Sequence, residues 1–146
     1  MPLKDLPFKI RFIEVPKDIR KIPFDAEFLS MKHADPTIGI RLELDGKIIS
    51  YCPDTGYCDN TIKLSKDADL VIAECAIAGK SGKEWPHLNP EAGARIAKEA
   101  GAKKLVMAHF GADDYKDFKA RDRAQKRARR IFRNSYSSRD GMQIKV

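Results

Sequence analysis

Two short stretches of this 146-residue chain, Leu70-Val71-Ile72-Ala73 and Leu105-Val106-Met107-Ala108, are apolar without interruption. A strand with no polar alternation has no face to offer water, so each run predicts a strand buried on both sides. Between them lies the clearest helix signal in the chain. Asn89 can cap the free amides, Pro90 is tolerated at the first helical position, and Gly101 stops the turn. Gly93, Ile96, Ala97 and Ala100 recur at helical spacing as its inner stripe. Two buried strands joined through a helix place the chain in the α/β class, with helices layered on a sheet.

The preceding residues read as further strands. Phe8 to Val15 alternates apolar and polar side chains and then slips phase, which predicts a strand with a bulge. Ala26 to Met31 predicts a second strand. Ile38, Ile40, Leu42 and Leu44 then alternate with Gly39, Arg41 and Glu43, and Lys47 to Cys52 follows Asp45-Gly46. An Asp-Gly pair supplies the positive φ angles of a type I′ turn, so this stretch predicts a β-hairpin. Asp59 to Asp67 predicts a short helix. Asp114 to Phe132 predicts a long basic one with Ala120, Ala124, Ala128 and Ile131 inside, and Met142 to Val146 a closing strand. No repeat, low-complexity tract or linker interrupts residues 1–146, and the length suits a single domain.

Composition narrows the class further. No apolar run approaches the roughly 18 residues of a membrane span. Met1-Pro2-Leu3-Lys4-Asp5 lacks the apolar core of a signal peptide, so the expectation is a cytoplasmic protein with no membrane partner. Cys52, Cys58 and Cys75 have no CxxC spacing and read as small buried core residues. The formal net charge of +7 is local: residues 116–133 carry nine basic and two acidic side chains, and the rest of the chain is neutral. That segment supports one reading of its own class, a nucleic-acid-binding module whose basic helix 116–133 contacts phosphates. Interleaved aromatics are lacking, with Phe118 and Phe132 near the helix ends and expected in the core, so base stacking has little support.

The chain has three histidines, and two of them end strands. His33 follows the second predicted strand and His109 follows Leu105 to Ala108, while Asp54 follows the second arm of the hairpin. Ligands collect at the carboxyl ends of strands in α/β sheets, and two imidazoles with a carboxylate suit Zn²⁺ or a similar divalent ion. His87 lies in a loop from Gly79 to Leu88 that two glycines leave free to fold over such a site, where it is a candidate proton donor. Gly79-Lys80-Ser81 is not a phosphate loop, because the upstream glycine position is Glu74 and Gly82 and Pro86 forbid an immediate helix.

Taken in order, five segments carry a family resemblance: Met31-Lys32-His33-Ala34-Asp35-Pro36, Ile49-Ser50-Tyr51-Cys52-Pro53-Asp54-Thr55-Gly56, Ala73-Glu74-Cys75, His87-Leu88-Asn89-Pro90-Glu91-Ala92 and Leu105-Val106-Met107-Ala108-His109-Phe110. With the ending Asp140 to Val146, the series resembles the second half of a metallo-β-lactamase-fold hydrolase, nearest the ribonuclease Z-like branch. The resemblance implies half of an αβ/βα sandwich, a mixed sheet with a β-hairpin and helices packed on one face. It implies that His33 binds a first metal, Asp54 bridges two, and His109 binds the second, with two zinc ions in a complete site. His87 matches a histidine outside the metal shell that helps protonate the leaving group. The implied activity is hydrolysis of a phosphodiester or related ester by a metal-bridging hydroxide, with a ribonuclease Z-like nuclease acting on RNA as the narrower alternative.

The departures from that pattern are equally specific. The His-x-His-x-Asp-His motif of the family's first half is absent, so each metal has two protein ligands here in place of the usual three or four. The chain alone is therefore expected to bind metal poorly and to be weakly active or inactive. Its expected partner is the missing N-terminal half, or a second copy, seated on an apolar sheet face. Pro53 stands where Gly usually precedes the bridging Asp, His87-Leu88-Asn89 replaces His-Ser-Thr, and no Ser-x-Arg-Tyr follows His109. These differences favour a general hydrolase over tRNA 3′ processing, with RNA or another phosphate-containing substrate reaching the chain through the basic helix.

Overall fold

The computed structural model describes residues 6–15 and 17–146. A short 3₁₀ helix (Ile19–Lys21) precedes β1 (Asp25–Ser30), β2 (Ile38–Leu44), β3 (Lys47–Cys52), α1 (Asp59–Ser65), β4 (Leu70–Glu74), α2 (Pro90–Glu99), β5 (Leu105–Ala108), α3 (Phe118–Arg129) and β6 (Ser135–Ser137). The strands form one six-stranded sheet in sequence order. β2 pairs antiparallel with β1 and β3, whereas β3, β4, β5 and β6 pair in parallel. Only β2 therefore runs against the rest, and β1, β3, β4 and β5 all deliver their carboxyl ends to one edge.

Local chemistry explains the elements that the sequence predicts well. Asp45 and Gly46 have φ angles of 51° and 70°, the pair that a type I′ turn requires, and Leu44 sits opposite Lys47. The Asn89 side chain accepts a hydrogen bond from the Ala92 amide at 2.8 Å, and Gly101 leaves α2 at φ +68°.

All three helices pack on one face. There Cys52, Val71, Ala73, Leu105 and Met107 from the sheet meet Leu64 of α1, Ala94, Ile96 and Ala97 of α2, and Ala120, Ala124 and Ala128 of α3. The register places Phe28, Ile40 and Leu42, Ile49 and Tyr51, Leu70 and Ile72, Val106 and Tyr136 on the opposite face. None of the three α-helices lies over that second, largely apolar face, where Tyr51 is 44% exposed, Phe28, Ile40, Leu42, Ile49, Ile72 and Tyr136 are half-buried, and Leu70 and Val106 are buried. No helix is long and apolar enough to cross a membrane among these residues.

Four expectations are corrected. Residues 8–15 form no strand: Phe8, Ile10 and Phe12 point to solvent, and alternation alone does not make a strand where no edge accepts it. The basic helix starts at Phe118 rather than Asp114, because the Asp117 side chain caps it by accepting from the Ala120 amide at 2.7 Å. Residues before it anchor a loop instead, with the Asp114 carboxylate accepting from the Ala78 amide and the Tyr115 hydroxyl donating to the Ile77 carbonyl. The last strand is Ser135–Ser137, not Met142 to Val146. Its inward serines are buried against α3, where the Gln125 amide oxygen accepts from the Ser137 N–H at 2.8 Å. Phe118 is not in the core: it is 56% exposed between the guanidinium groups of Arg121 and Arg139, while Phe132 does pack against the core. Cys52 and Cys75 are buried as expected, and Cys58 is half-buried.

Candidate active site

Four strand ends meet at the carboxyl edge of the sheet, and each contributes one polar residue. β1 hands on to His33, β3 to Asp54 and β5 to His109, while Glu74 is the last residue of β4. The connections are stitched together. The Gly56 amide donates to the Lys32 carbonyl at 2.7 Å and the Lys32 amide to Thr55 Oγ1 at 3.2 Å, so the turn after β1 lies against the turn after β3. A Cβ on Gly56 would meet the Cβ of Pro86 at 2.7 Å, so only glycine lets the 79–87 loop close down at this point.

The structure forms two close pairs here, one of two predicted residues and one that joins the predicted His87 to Glu74. His109 Nε2 lies 3.1 Å from Asp54 Oδ1, with both side chains well exposed. His109 adopts φ 50°, a left-handed conformation that costs a non-glycine residue roughly 1–2 kcal/mol and that tight surroundings must hold in place. Two residues on, the Gly111 amide donates to the Ala76 carbonyl, and a Cβ there would stand 2.4 Å from that oxygen. The second pair is His87 and Glu74, with Nδ1 2.6 Å from Oε1. The His33 and His87 rings are 5.2 Å apart and the His87 and His109 rings 6.5 Å apart, so His87 stands between the other two. Trp85 meets His33 edge-on at 5.0 Å.

Glu74 is the residue that sequence reasoning did not single out. Its side chain is fully buried, and its oxygens accept from the Thr55 amide at 2.9 Å, the Ala76 amide at 2.8 Å and the His87 ring. A carboxylate that accepts from His87 Nδ1 fixes a proton there and with it the orientation of the ring. The signal was present in the sequence as a lone carboxylate closing an otherwise apolar strand.

His33 has a different environment. Its Nδ1 is near the Asp35 amide (3.3 Å) and the Thr37 hydroxyl (3.4 Å), and its buried Nε2 has no hydrogen-bond partner. An imidazole nitrogen kept dry and unpaired is costly unless something else engages it. Among the described residues, no group of three or more His, Cys, Asp and Glu side chains is arranged to hold a metal ion. The donor types suit a divalent ion of the zinc kind, and their number does not complete a site.

Residues 3–110 match the sequence profile described as "Beta-lactamase superfamily domain". The chain is 35% identical over 111 residues to the probable metallo-hydrolase YhfI of Bacillus subtilis, covering 75% of this chain and 43% of that protein. It is 36% identical over 104 residues to the ribonuclease Z of Gemmatimonas aurantiaca, covering 69% and 32%. The crystal structure of the metallo-beta-lactamase fold protein YhfI from Bacillus subtilis superimposes with a TM-score of 0.69 and 31% identity, over 79% of this chain and 45% of that one. The chain thus spans less than half the length of the relatives it matches.

Proposed function

Because the chain belongs to the beta-lactamase superfamily, we propose that it carries one side of the active site of a metal-dependent hydrolase acting on a phosphodiester or related ester. The observation that carries this reading is the convergence of His33, Asp54, His87 and His109 at one sheet edge, with His109 and Asp54 3.1 Å apart. In this reading His33, Asp54 and His109 are the chain's share of the metal ligands. His109 and Asp54, 3.1 Å apart, are donor types that suit one divalent ion, and the dry Nε2 of His33 is a nitrogen in want of a partner. Bound divalent ions, two zincs in a complete site, supply an acidified water and neutralise charge on the scissile group. The chain's own contribution is positional and protonic. Glu74 holds the Nδ1–H of His87 and stabilises the ring when it is protonated on both nitrogens, so that this doubly protonated form can hand its Nε2 proton to the departing oxygen. The ribonuclease Z relatives support RNA as the narrower substrate; the altered residues after His87 and His109 weigh toward a more general ester.

The remaining ligands come from outside residues 1–146 in this reading, and the same segment covers the apolar face opposite the helices. The missing N-terminal half is the partner that supplies both, and a second copy supplies only the cover. Zinc analysis tests this directly. The isolated chain should hold well under one zinc, and the value should rise toward two when an amino-terminal half such as that of the Bacillus subtilis relative is supplied, but not in His109→Ala. Tight stoichiometric zinc in the isolated chain would overturn the proposal.

A further inference from the structure

The basic residues of α3 divide into two sets. Arg127 forms a two-pronged ion pair with Glu91 of α2, both contacts at 2.7 Å. Arg129 donates to the Ser135 carbonyl at 2.9 Å, and Arg121 lies 5.2 Å over the Phe110 ring, next to His109. These side chains hold the helix to its neighbours. Lys119, Arg123, Lys126 and Arg130 are all exposed, and among the described residues none of them forms an ion pair. They recur at i, i+4, i+7 and i+11, so they share one face of the helix as a stripe of roughly 16 Å. Nearby carboxylates are occupied elsewhere: Asp117 caps the helix, Asp122 pairs with Arg139, and Glu91 pairs with Arg127.

Four like charges on adjacent turns repel one another, so the stripe costs stability unless an anion neutralises it. We propose that it is a docking surface for the phosphate backbone of a nucleic-acid duplex. A duplex carries about one charge per 1.7 Å of axis, enough phosphates along the stripe to neutralise all four cations. A single strand is a poorer fit, because the stripe has no aromatic for bases to stack on and the ring of Phe118 is flanked by Arg121 and Arg139. An anionic membrane is poorer still. The apolar side of α3, Ala120, Ala124 and Ala128, is buried in the core and leaves nothing to insert between lipids. The stripe requires nothing of the metal reading.

Fluorescence anisotropy with labelled 20-base-pair RNA and DNA duplexes, on the full chain across a salt series, tests this. Neutralising about four phosphates predicts a log–log salt slope near −3.6, or ~150-fold weaker binding at 200 mM than at 50 mM salt. Arg123→Gln with Arg130→Gln should bring the slope to about −1.8 and the salt effect to ~12-fold. The control pair Lys63→Gln with Lys66→Gln removes the same charge from exposed positions on and just after α1 and should leave the slope unchanged. Loss of duplex binding in the stripe variant alone supports the proposal, whichever sugar the duplex contains. Equal losses from both pairs, tighter binding of a single-stranded 20-mer, or binding to phosphatidylserine vesicles in place of duplex would each overturn it.

Discussion

Replacing Glu74 probes the physical basis of the site more sharply than replacing any of the histidines. Glu74→Ala removes three hydrogen bonds at once, from the Thr55 amide, the Ala76 amide and His87 Nδ1. Thr55 is fully buried, so its amide has no water to turn to, whereas Ala76 and His87 are only partly buried and can recover some hydration. A stranded buried donor costs about 1–3 kcal/mol, so one fully dry and two partly dry donors amount to about 3 kcal/mol. Glu74→Gln keeps one acceptor oxygen and sets its NH₂ against the remaining donor, so its cost should be about half as large. With a urea slope of roughly 1.5–2 kcal/mol per M, unfolding followed by far-UV circular dichroism should show midpoints lowered by about 1.5–2 M for Ala and under 1 M for Gln. Faster hydrogen exchange at the Thr55 amide should accompany the Ala change. An Ala variant whose midpoint moves by less than about 0.3 M, or a Gln variant as unstable as Ala, would refute the account of Glu74 as a hub of acceptors.

Three further outcomes follow from other parts of the molecule. Burial pushes the Cys75 thiol up to about 12, despite its contact with the Tyr115 hydroxyl, and Cys52 is raised by burial as well. An aromatic disulfide reagent should therefore label Cys58 in the native chain and reach the other two only on unfolding; rapid labelling of all three would contradict the core packing. The Lys103 ammonium, the Ile48 amide and Lys47 hold the Asp69 carboxyl down to about 2. A folded-state value below the ordinary one gives stability that is present above about pH 4 and lost as pH falls toward 2, so Asp69→Asn should flatten the acid limb of stability in that window. Gly111→Ala forces a methyl group against the Ala76 carbonyl at 2.4 Å, and should cost about 1–3 kcal/mol in urea unfolding and disturb the His109 resonance. A neutral Gly111→Ala would mean that the loop has room the structure does not show.

The sequence alone was enough for features whose cause is local. The Asp45-Gly46 turn, the Asn89-Pro90 start of α2, the buried runs of β4 and β5 and the places of His33, Asp54 and His109 just after strands follow from residues that act on their immediate neighbours. Where the outcome depends on a distant partner, the chain gave no reliable sign. Residues 8–15 alternate as a strand should but meet no sheet edge, and Ser135–Ser137 has no apolar pattern yet pairs because β5 and α3 present it with partners. Glu74 stands out in the sequence only as the carboxylate that closes an apolar strand, and its part as a shared acceptor exists only once folding brings Thr55, Ala76 and His87 to it. The net +7 was countable from composition, but only the packing of α3 sorted it into arginines that bind the fold and a stripe that faces solvent. Charge and periodicity are properties of the chain; which charges are satisfied is decided by contacts between residues far apart in it.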